Sequence, residues 1–296
     1  MILSTTNLVL SPDASIDLHM HTTFSDGRWP AEQLIDYLLS EGFDLVAITD
    51  HDRVDTMGAI QELAIQKRLP ILTGVEMTTH WNGVMGDILC YGFDPDNTEL
   101  RGVADDVVKR QLENTLAVYE ELRHKGYEFP RQAEVLHESG GELRLPRDNI
   151  MLLRAHGYAS DWHAALNILQ ESGFVSIKAD MAHTVDAVHR CGGVALVAHP
   201  GRKERGFTYY DTGLLDKVRA EVPLDGIEVI HPSHNPEDTE TLLAYARMHE
   251  LLMSTGSDSH SIPNRMPKKH RAELSRALLE RVGIQVPSLP VGMKSP

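Results

Sequence analysis

The sequence is short of cysteine, of basic charge and of long apolar runs, and each shortage removes a class of protein. Only Cys90 and Cys191 occur, each inside an apolar run. That count excludes a disulfide framework and a thiolate metal site, and both read as buried thiols. Lys and Arg number 28 against 43 Asp and Glu, a formal net charge of −15. Such a surface does not blanket the phosphates of a long nucleic acid, although a short or small phosphorylated substrate stays open. No stretch approaches the roughly 18 apolar residues of a membrane span, and the opening MILSTTNLVLSPDAS has neither a basic region nor a sustained apolar one. A cytoplasmic protein without membrane contact is therefore expected; oligomeric state is left open. What the sequence does have is histidine: 16 residues, many beside Asp, Gly or Pro at the ends of apolar runs.

At 296 residues the chain can bury one large core, as a single barrel or as a two-layer domain with an insertion. Short apolar runs alternate with helical patterns: IDLHMH, AEQLIDYLLSEG, DLVAITDH, DTMGAIQELAIQKR and PILTGVEMT. The alternation resumes with HTVDAVHRCG, GVALVAHP, TGLLDKVRAEV, LDGIEVIHPSH, PEDTETLLAYARMHE and LLMSTGSDSH. This β/α pattern predicts an α/β fold with one barrel-like sheet built from residues 16–96 and 173–286. Between them, residues 97–172 read as a mainly helical insertion or lid, with HESGGELRLPRDN looping between its helices. Residues 287–296 are expected to form a disordered tail.

A strand's period of two puts His19 and His21 on one face, with Asp17 one step earlier. A lone His-x-His is weak evidence, but its companions share one placement. Asp26 follows in a TTFSDG turn, His51 ends VAITDHD, Glu76 ends LTGVE, His199 ends VALVAHP, His234 lies in IHPSH, and Asp258 and His260 end STGSDSH. In a parallel β/α barrel those strand ends converge on a single face. Imidazoles mixed with carboxylates, without thiolates, suit Zn²⁺, Mn²⁺ or Fe²⁺, and a carboxylate such as Glu76 can bridge two ions. A multinuclear site of that kind suits hydrolysis of phosphate esters by metal-activated water.

Six ordered motifs, DLHMHTTFSDG, GFDLVAITDHD, GVE, VAHPGR, GIEVIHPSH and GSDSH, resemble the polymerase-and-histidinol-phosphatase (PHP) family, in particular its stand-alone nucleotidase and exoribonuclease-like branch. The resemblance implies a distorted (β/α)7 barrel with an inserted helical domain, and two or three divalent ions of Mn, Zn or Fe. Carried over residue by residue, it implies His19, His21, Glu76 and Asp258 as ligands of one ion and Asp26, His51 and His260 as those of another. Glu76 and His199 then serve an intervening ion. Two positions depart from the branch's pattern: Asp87 stands where a histidine is usual in the strand after GVE, and Arg147, Asp148 and Asn149 replace an Arg-Pro-His triplet.

For substrate, Arg202 three residues after His199 offers forked donors to phosphate. Arg147 is a second candidate, and His234 a third that could also assist catalysis. His231 reads as satisfying a strand end, and Trp81 beside His80 as packing. Lys109, Arg110, Arg123 and Lys125 alternate with acids, so a solvated helix face is expected. The expected activity is hydrolysis of a small nucleotide, such as a nucleoside 3′,5′-bisphosphate, or of short RNA 5′ ends. Histidinol phosphate or another sugar phosphate is the alternative substrate, and an inactive metal-binding module the alternative of another class.

Overall fold

A computed structural model gives the fold; it describes residues 3–137, 140–204, 206–261 and 265–288. Contacts divide the chain into two compact units, Met1–Asp105 with Ala179–Pro296, and Asp106–Lys178.

The first unit is a mixed α/β structure with two sheets. The smaller contains β1 (Ser15–Asp17), β2 (Leu45–Ala47), β3 (Ile71–Leu72) and β10 (His270–Arg271), in the order β10-β1-β2-β3. The larger contains β4 (Gly74–Trp81), β5 (Val84–Tyr91), β6 (Ala179–Asp180), β7 (Val194–Val197), β8 (Gly226–Ile230) and β9 (Leu252–Thr255), in the order β6-β4-β5-β7-β8-β9. β2, β7 and most of β8 are buried on both faces, which is why they read as continuous apolar runs. Backbone pairings tie the sheets at two places. Leu18 N–H donates to the Thr255 carbonyl and Met20 bridges Ser259; Glu76 N–H donates to the Thr49 carbonyl and His51 bridges Glu76. The bridging residues are thus candidate ligands, His51 and Glu76, or neighbours of them, Met20 and Ser259.

Helices follow the strands as the alternation requires. Those at Met181–Arg190, Thr212–Glu221 and Pro236–Met248 are each started by a side chain that accepts a backbone N–H two or three residues into the helix: Asp180 from His183, Asp211 from Leu214 and Asn235 from Asp238. Pro236 at the first turn of the last of these loses no helical donor.

Two strands depart from the all-parallel expectation. β5 is antiparallel to both β4 and β7, and β10 is antiparallel to β1. The first departure is written in Trp81-Asn82-Gly83-Val84: Asn82 and Gly83 both have positive φ, 48° and 80°. A two-residue turn with both central residues left-handed matches the twist of a hairpin, and Asn-Gly is its strongest local signal. The run DILCY is therefore the return arm of a hairpin and not a separate crossover strand.

In the second unit the helices Gln132–Val135, Pro146–Ala155 and Trp162–Glu171 enclose an apolar cluster that includes Val118, Leu122, Ile150, Leu153 and Leu169. The HESGGELRLPRDN segment does not stay irregular to its end, since Pro146 opens a helix. Asp148 starts that helix by accepting the N–H groups of Arg144 and Leu145 at 2.7 and 2.9 Å. In the tail, Pro287 and Ser288 are placed, with the Arg276 guanidinium donating to Ser288 Oγ; the expectation for residues 289–296 falls outside the described residues. Among the described residues no helix is long and apolar enough to cross a membrane.

Close strand approach gives a stability test. A Cβ on Gly226 in β8 would lie 2.1 Å from the Leu252 carbonyl oxygen, whereas one on Gly102 would meet nothing within 4 Å. Gly226→Ala should lower the unfolding free energy by about 1–3 kcal/mol. Gly102→Ala, inside the helix Thr98–His124, should raise it by roughly 0.5–1 kcal/mol. Urea denaturation of the two variants beside the parent checks both signs.

Candidate metal centre

The loops after β1, β2, β7 and β9, with Glu76 in β4 and Asp87 in β5, bring together all nine of the predicted ligands. Four groups of side chains have ligand atoms within 4.8 Å of one another: His21, Asp26, His51 and His260; His19, His21, Glu76 and Asp258; Glu76, Asp87 and His199; and His19, Glu228 and His231.

Glu76 is shared by two of these groups, and its two oxygens face different partners. Oε2 lies 3.0 Å from His19 Nε2, 3.1 Å from His21 Nε2 and 3.5 Å from His51 Nε2, while Oε1 lies 3.0 Å from His199 Nε2. Asp258 Oδ1 is 3.5 Å from His19 Nε2, 3.3 Å from His21 Nε2 and 3.2 Å from His260 Nδ1. Asp26 Oδ1 meets His260 Nε2 at 3.1 Å, and Asp87 Oδ2 stands 3.6 Å from His199 Nε2.

The backbone is bent to make this convergence. His199 and Asp258 have φ of 33° and 49°, and Asp52, beside His51, has 55°. Left-handed backbone at a non-glycine residue costs on the order of 1–3 kcal/mol, and it concentrates where function over-determines geometry. Buried carboxylates outside the ligand groups hold these bends. Asp17 accepts the N–H groups of Ser257 and Lys268 at 3.0 and 2.8 Å, fixing the loop that carries Asp258. Asp50 accepts from Thr22 N–H, Thr22 Oγ1 and Ser25 Oγ, each at 2.7 Å, fixing the turn that carries Asp26.

Electrostatically the centre is a set of acids seeking cations. Burial disfavours charge on His51 and His260, yet Glu76 and Asp26 lift the His51 imidazole to about 9, and the carboxylates of Asp258 and Asp26 lift His260 to about 10. Glu76 and Asp258, although buried, are held well below the usual carboxylate range by the surrounding histidines, His19 first. Burial and the neighbouring Glu76 raise Asp87.

Divalent ions fit this donor set. The His19 and His21 Nε2 atoms face each other at 3.2 Å, an arrangement in which two neutral imidazoles share one cation more readily than one proton. His21 Nδ1 and His51 Nδ1 are buried without a hydrogen-bond partner among the described residues. Five imidazoles and four carboxylates, with both cysteines buried elsewhere, are the ligand types of Zn²⁺, Mn²⁺ and Fe²⁺ sites.

The remaining candidates are placed differently from one another. Arg202 lies at the rim: its Nη1 is 3.6 Å from Asp258 Oδ2, its Nε and Nη2 donate to Glu204 Oε2 at 3.1 and 2.7 Å, and its guanidinium stacks 3.3 Å above the Phe207 ring. His234 is a correction. Its Nε2 accepts the Gly201 N–H at 3.1 Å and its Nδ1 donates to the Val229 carbonyl at 3.3 Å, so both nitrogens serve the backbone. His231, read from sequence as a strand-end residue, is the one that faces the centre, with Nε2 3.3 Å from Asp258 Oδ2. Arg265 was not singled out and also donates to Asp258 Oδ2. Glu228, likewise missed, is fully buried. The signal for it was the period of two in GIEVIH, which sets a charged residue inside an otherwise apolar strand.

Arg147 and Asn149 belong to the helical unit. Asn149 is fully buried there and its Nδ2 donates to the Thr115 carbonyl at 2.9 Å. Trp81 donates through Nε1 to Glu221 Oε2 at 2.9 Å and packs on the core. Lys109 and Arg110 pair along their helix with Glu113 and Asp106.

The sharing of Glu76 makes an uneven loss of metal the expected result of mutation. Glu76→Gln should retain several-fold less metal after dialysis than His260→Ala, because its carboxylate joins two groups and reaches His51 in a third, whereas His260 serves one. Elemental analysis of the two variants decides it; equal retention contradicts a bridging Glu76.

Known proteins resemble the chain over most of its length. The PHP domain family matches residues 17–162. The 3′,5′-nucleoside bisphosphate phosphatase of Chromobacterium violaceum is 28% identical over 260 residues, covering 84% of this chain and 88% of that protein. A phosphoribosyl 1,2-cyclic phosphate 1,2-diphosphodiesterase of Eggerthella lenta is 28% identical over 259 residues, covering 85% and 96%. A 5′-3′ exoribonuclease of Haemophilus influenzae is 25% identical over 252 residues, covering 82% and 89%. Among solved structures, a putative metal-dependent phosphoesterase from Bifidobacterium adolescentis superposes with a TM-score of 0.76 at 26% identity, covering 92% of this chain and 98% of that one. With its ordered motifs converging on one centre of imidazoles and carboxylates, the chain carries a match to the PHP domain over residues 17–162 and is, like these relatives, a phosphoric ester hydrolase.

Proposed function

We propose that this protein releases phosphate from a small nucleotide, such as a nucleoside 3′,5′-bisphosphate, or trims the 5′ ends of short RNA, using two or three divalent ions. The observation that carries the reading is the convergence of three charged or hydrogen-bonding side chains, Arg202, Arg265 and His231, on the outer oxygen of one candidate ligand, Asp258. A phosphoryl group at that rim would meet the ligand cluster on one side and guanidinium donors on the other.

In this reading the groups Glu76, Asp87 and His199; His19, His21, Glu76 and Asp258; and His21, Asp26, His51 and His260 hold the ions. Bound divalent ions would supply Lewis acidity and acidify water. The rest falls to the chain's own residues. Arg202 is preorganised by its stacking on Phe207, so exchanging Glu204 for a phosphate keeps the fork geometry. His231 Nδ1 accepts the Ser233 N–H at 3.0 Å, which leaves the proton on Nε2, facing Asp258 and the rim. His231 therefore takes the assisting role that the sequence suggested for His234. We further read the two sheets as the wall of a distorted (β/α)7 barrel and residues 97–172 as its insertion, with Arg147 kept as a substrate candidate on that insertion. The Eggerthella lenta relative, whose name is that of a phosphoribosyl cyclic phosphate diesterase, favours a ribose phosphate as second reading.

The test is release of phosphate by manganese-loaded protein from nucleoside monophosphates, 3′,5′-bisphosphates and ribose phosphates, beside release of mononucleotides from short RNAs. The highest kcat/KM is expected on a bisphosphate or RNA end; a preference for ribose phosphates lacking a base would replace this reading with the second. His21→Ala and Asp258→Ala should lower kcat/KM by roughly a thousandfold, about 4 kcal/mol. Arg202→Ala should lower it by about 10- to 100-fold with metal content unchanged. His231→Ala should cost more activity than His234→Ala at matched folded fraction.

A further inference from the structure

We propose that Glu228 is a positioning residue whose one carboxylate sets the ligand geometry of two neighbouring metal subsites, that of His19 and that of His199. This rests on the reading of the centre as a metal site.

Glu228 sits on β8 with its side chain wholly buried, and each oxygen has one duty. Oε1 accepts from His19 Nδ1 at 3.1 Å, and Oε2 accepts the backbone N–H of His199 at 2.8 Å. The first bond decides which nitrogen of His19 is available. A neutral imidazole has one lone pair, and Nε2 is the atom that stands 3.2 Å from His21 Nε2 and 3.0 Å from Glu76 Oε2. For Nε2 to ligate, Nδ1 must carry the proton, and a buried carboxylate beside Nδ1 selects that tautomer. The second bond holds the backbone of His199 in its left-handed conformation, φ 33°, from which Nε2 reaches Glu76 Oε1.

Space around the pair is left for it. A Cβ built on Gly256 would stand 2.2 Å from His19 Cβ and 2.8 Å from Glu228 Oε1, so glycine at 256 is what lets the two side chains approach. The proximity of His19, Glu228 and His231 could instead be taken for a separate metal group. A protonated Nδ1 cannot ligate, and His19 has already directed its lone pair to the other cluster. His231 likewise shows Asp258 its N–H and gives its lone pair to Ser233.

Glu228→Gln separates these possibilities, because an amide keeps the size of the side chain but has one accepting oxygen. It can accept from His19 Nδ1 or from His199 N–H, not from both. Zinc affinity of the full chain, measured against a chromogenic chelator, should fall about 10- to 100-fold in this variant. The thermal midpoint of the metal-free protein should stay within a few degrees, and KM for a phosphate ester at saturating metal should hardly change. In nitrogen-15 histidine spectra of the zinc-loaded parent, His19 should show a protonated Nδ1 and a metal-bound Nε2. Affinity unchanged in Glu228→Gln, beside tight binding by the parent, overturns the assignment of Glu228 alone. A parent that takes up no zinc or manganese overturns the metal reading beneath it. If Glu228→Gln does not fold, the parent spectrum decides by itself: a proton on His19 Nε2 would refute the proposal.

Discussion

The structure turns on burying the Glu76 carboxylate among imidazoles. Moving an isolated carboxylate out of water is prohibitive, so its neighbours must supply positive charge and hydrogen bonds in the same small volume. His19 and His21 come from the end of β1, His51 from beyond β2, and His199 from the end of β7. No single element could provide all four. Strands from both sheets have to end at one place, and the pairing of His51 with Glu76 and of Met20 with Ser259 fixes those ends in register. The site is therefore also the junction of the fold.

That junction is held by side chains that take no part as candidate ligands. Asp17, Asp50 and Glu228 are spent on backbone N–H groups, hydroxyls and one imidazole, and they shape the loops around Asp258, Asp26 and His199. Burial pushes Asp17 up to about 6, and Asp52, beside His51, up to about 7. Carboxyls kept buried at such a cost to ionisation are informative: Asp17 holds the loop whose φ is positive at Asp258, and Asp52, itself at positive φ, accepts the Thr78 N–H at 2.9 Å. On the proposed reading, acids one layer behind the candidate ligands set their geometry.

Most of the candidate ligands could be singled out because they follow an apolar run, and strand ends in an alternating β/α chain point the same way. Their legibility did not extend to what lies behind them. His231 and His234 are three residues apart in IHPSH, and nothing in the spacing says which ring turns inward; the Pro200-Gly201 turn, distant in sequence, captures His234 by its Gly201 N–H. Arg265 sits beyond the last motif, so only the folded chain returns it to Asp258. The hairpin at Asn82-Gly83 was readable, since two left-handed residues in that pair are a local property, but β/α alternation on either side masked it. Asn149 looked like a lost ligand against the family pattern. In the structure it is an interior residue of the helical unit, tied to Thr115.

Charge gives the last step. The chain carries a net −15, and four carboxylates, Asp26, Glu76, Asp87 and Asp258, gather at the centre. Protonated imidazoles of His51 and His260 offset part of that charge, and the two guanidiniums beside Asp258, Arg202 and Arg265, are already engaged by Glu204 and Asp258. Neither arginine has charge to spare while Asp258 must be neutralised by them. On the proposed reading, divalent cations take over that neutralisation, because each brings twice the charge of an imidazolium into the same low-dielectric space. The centre then gains positive charge, and the arginines beside Asp258 are freed for phosphate. On that reading metal occupancy and substrate affinity are coupled through Asp258, whose inner oxygen faces His19, His21 and His260 and whose outer oxygen faces His231 and the two arginines.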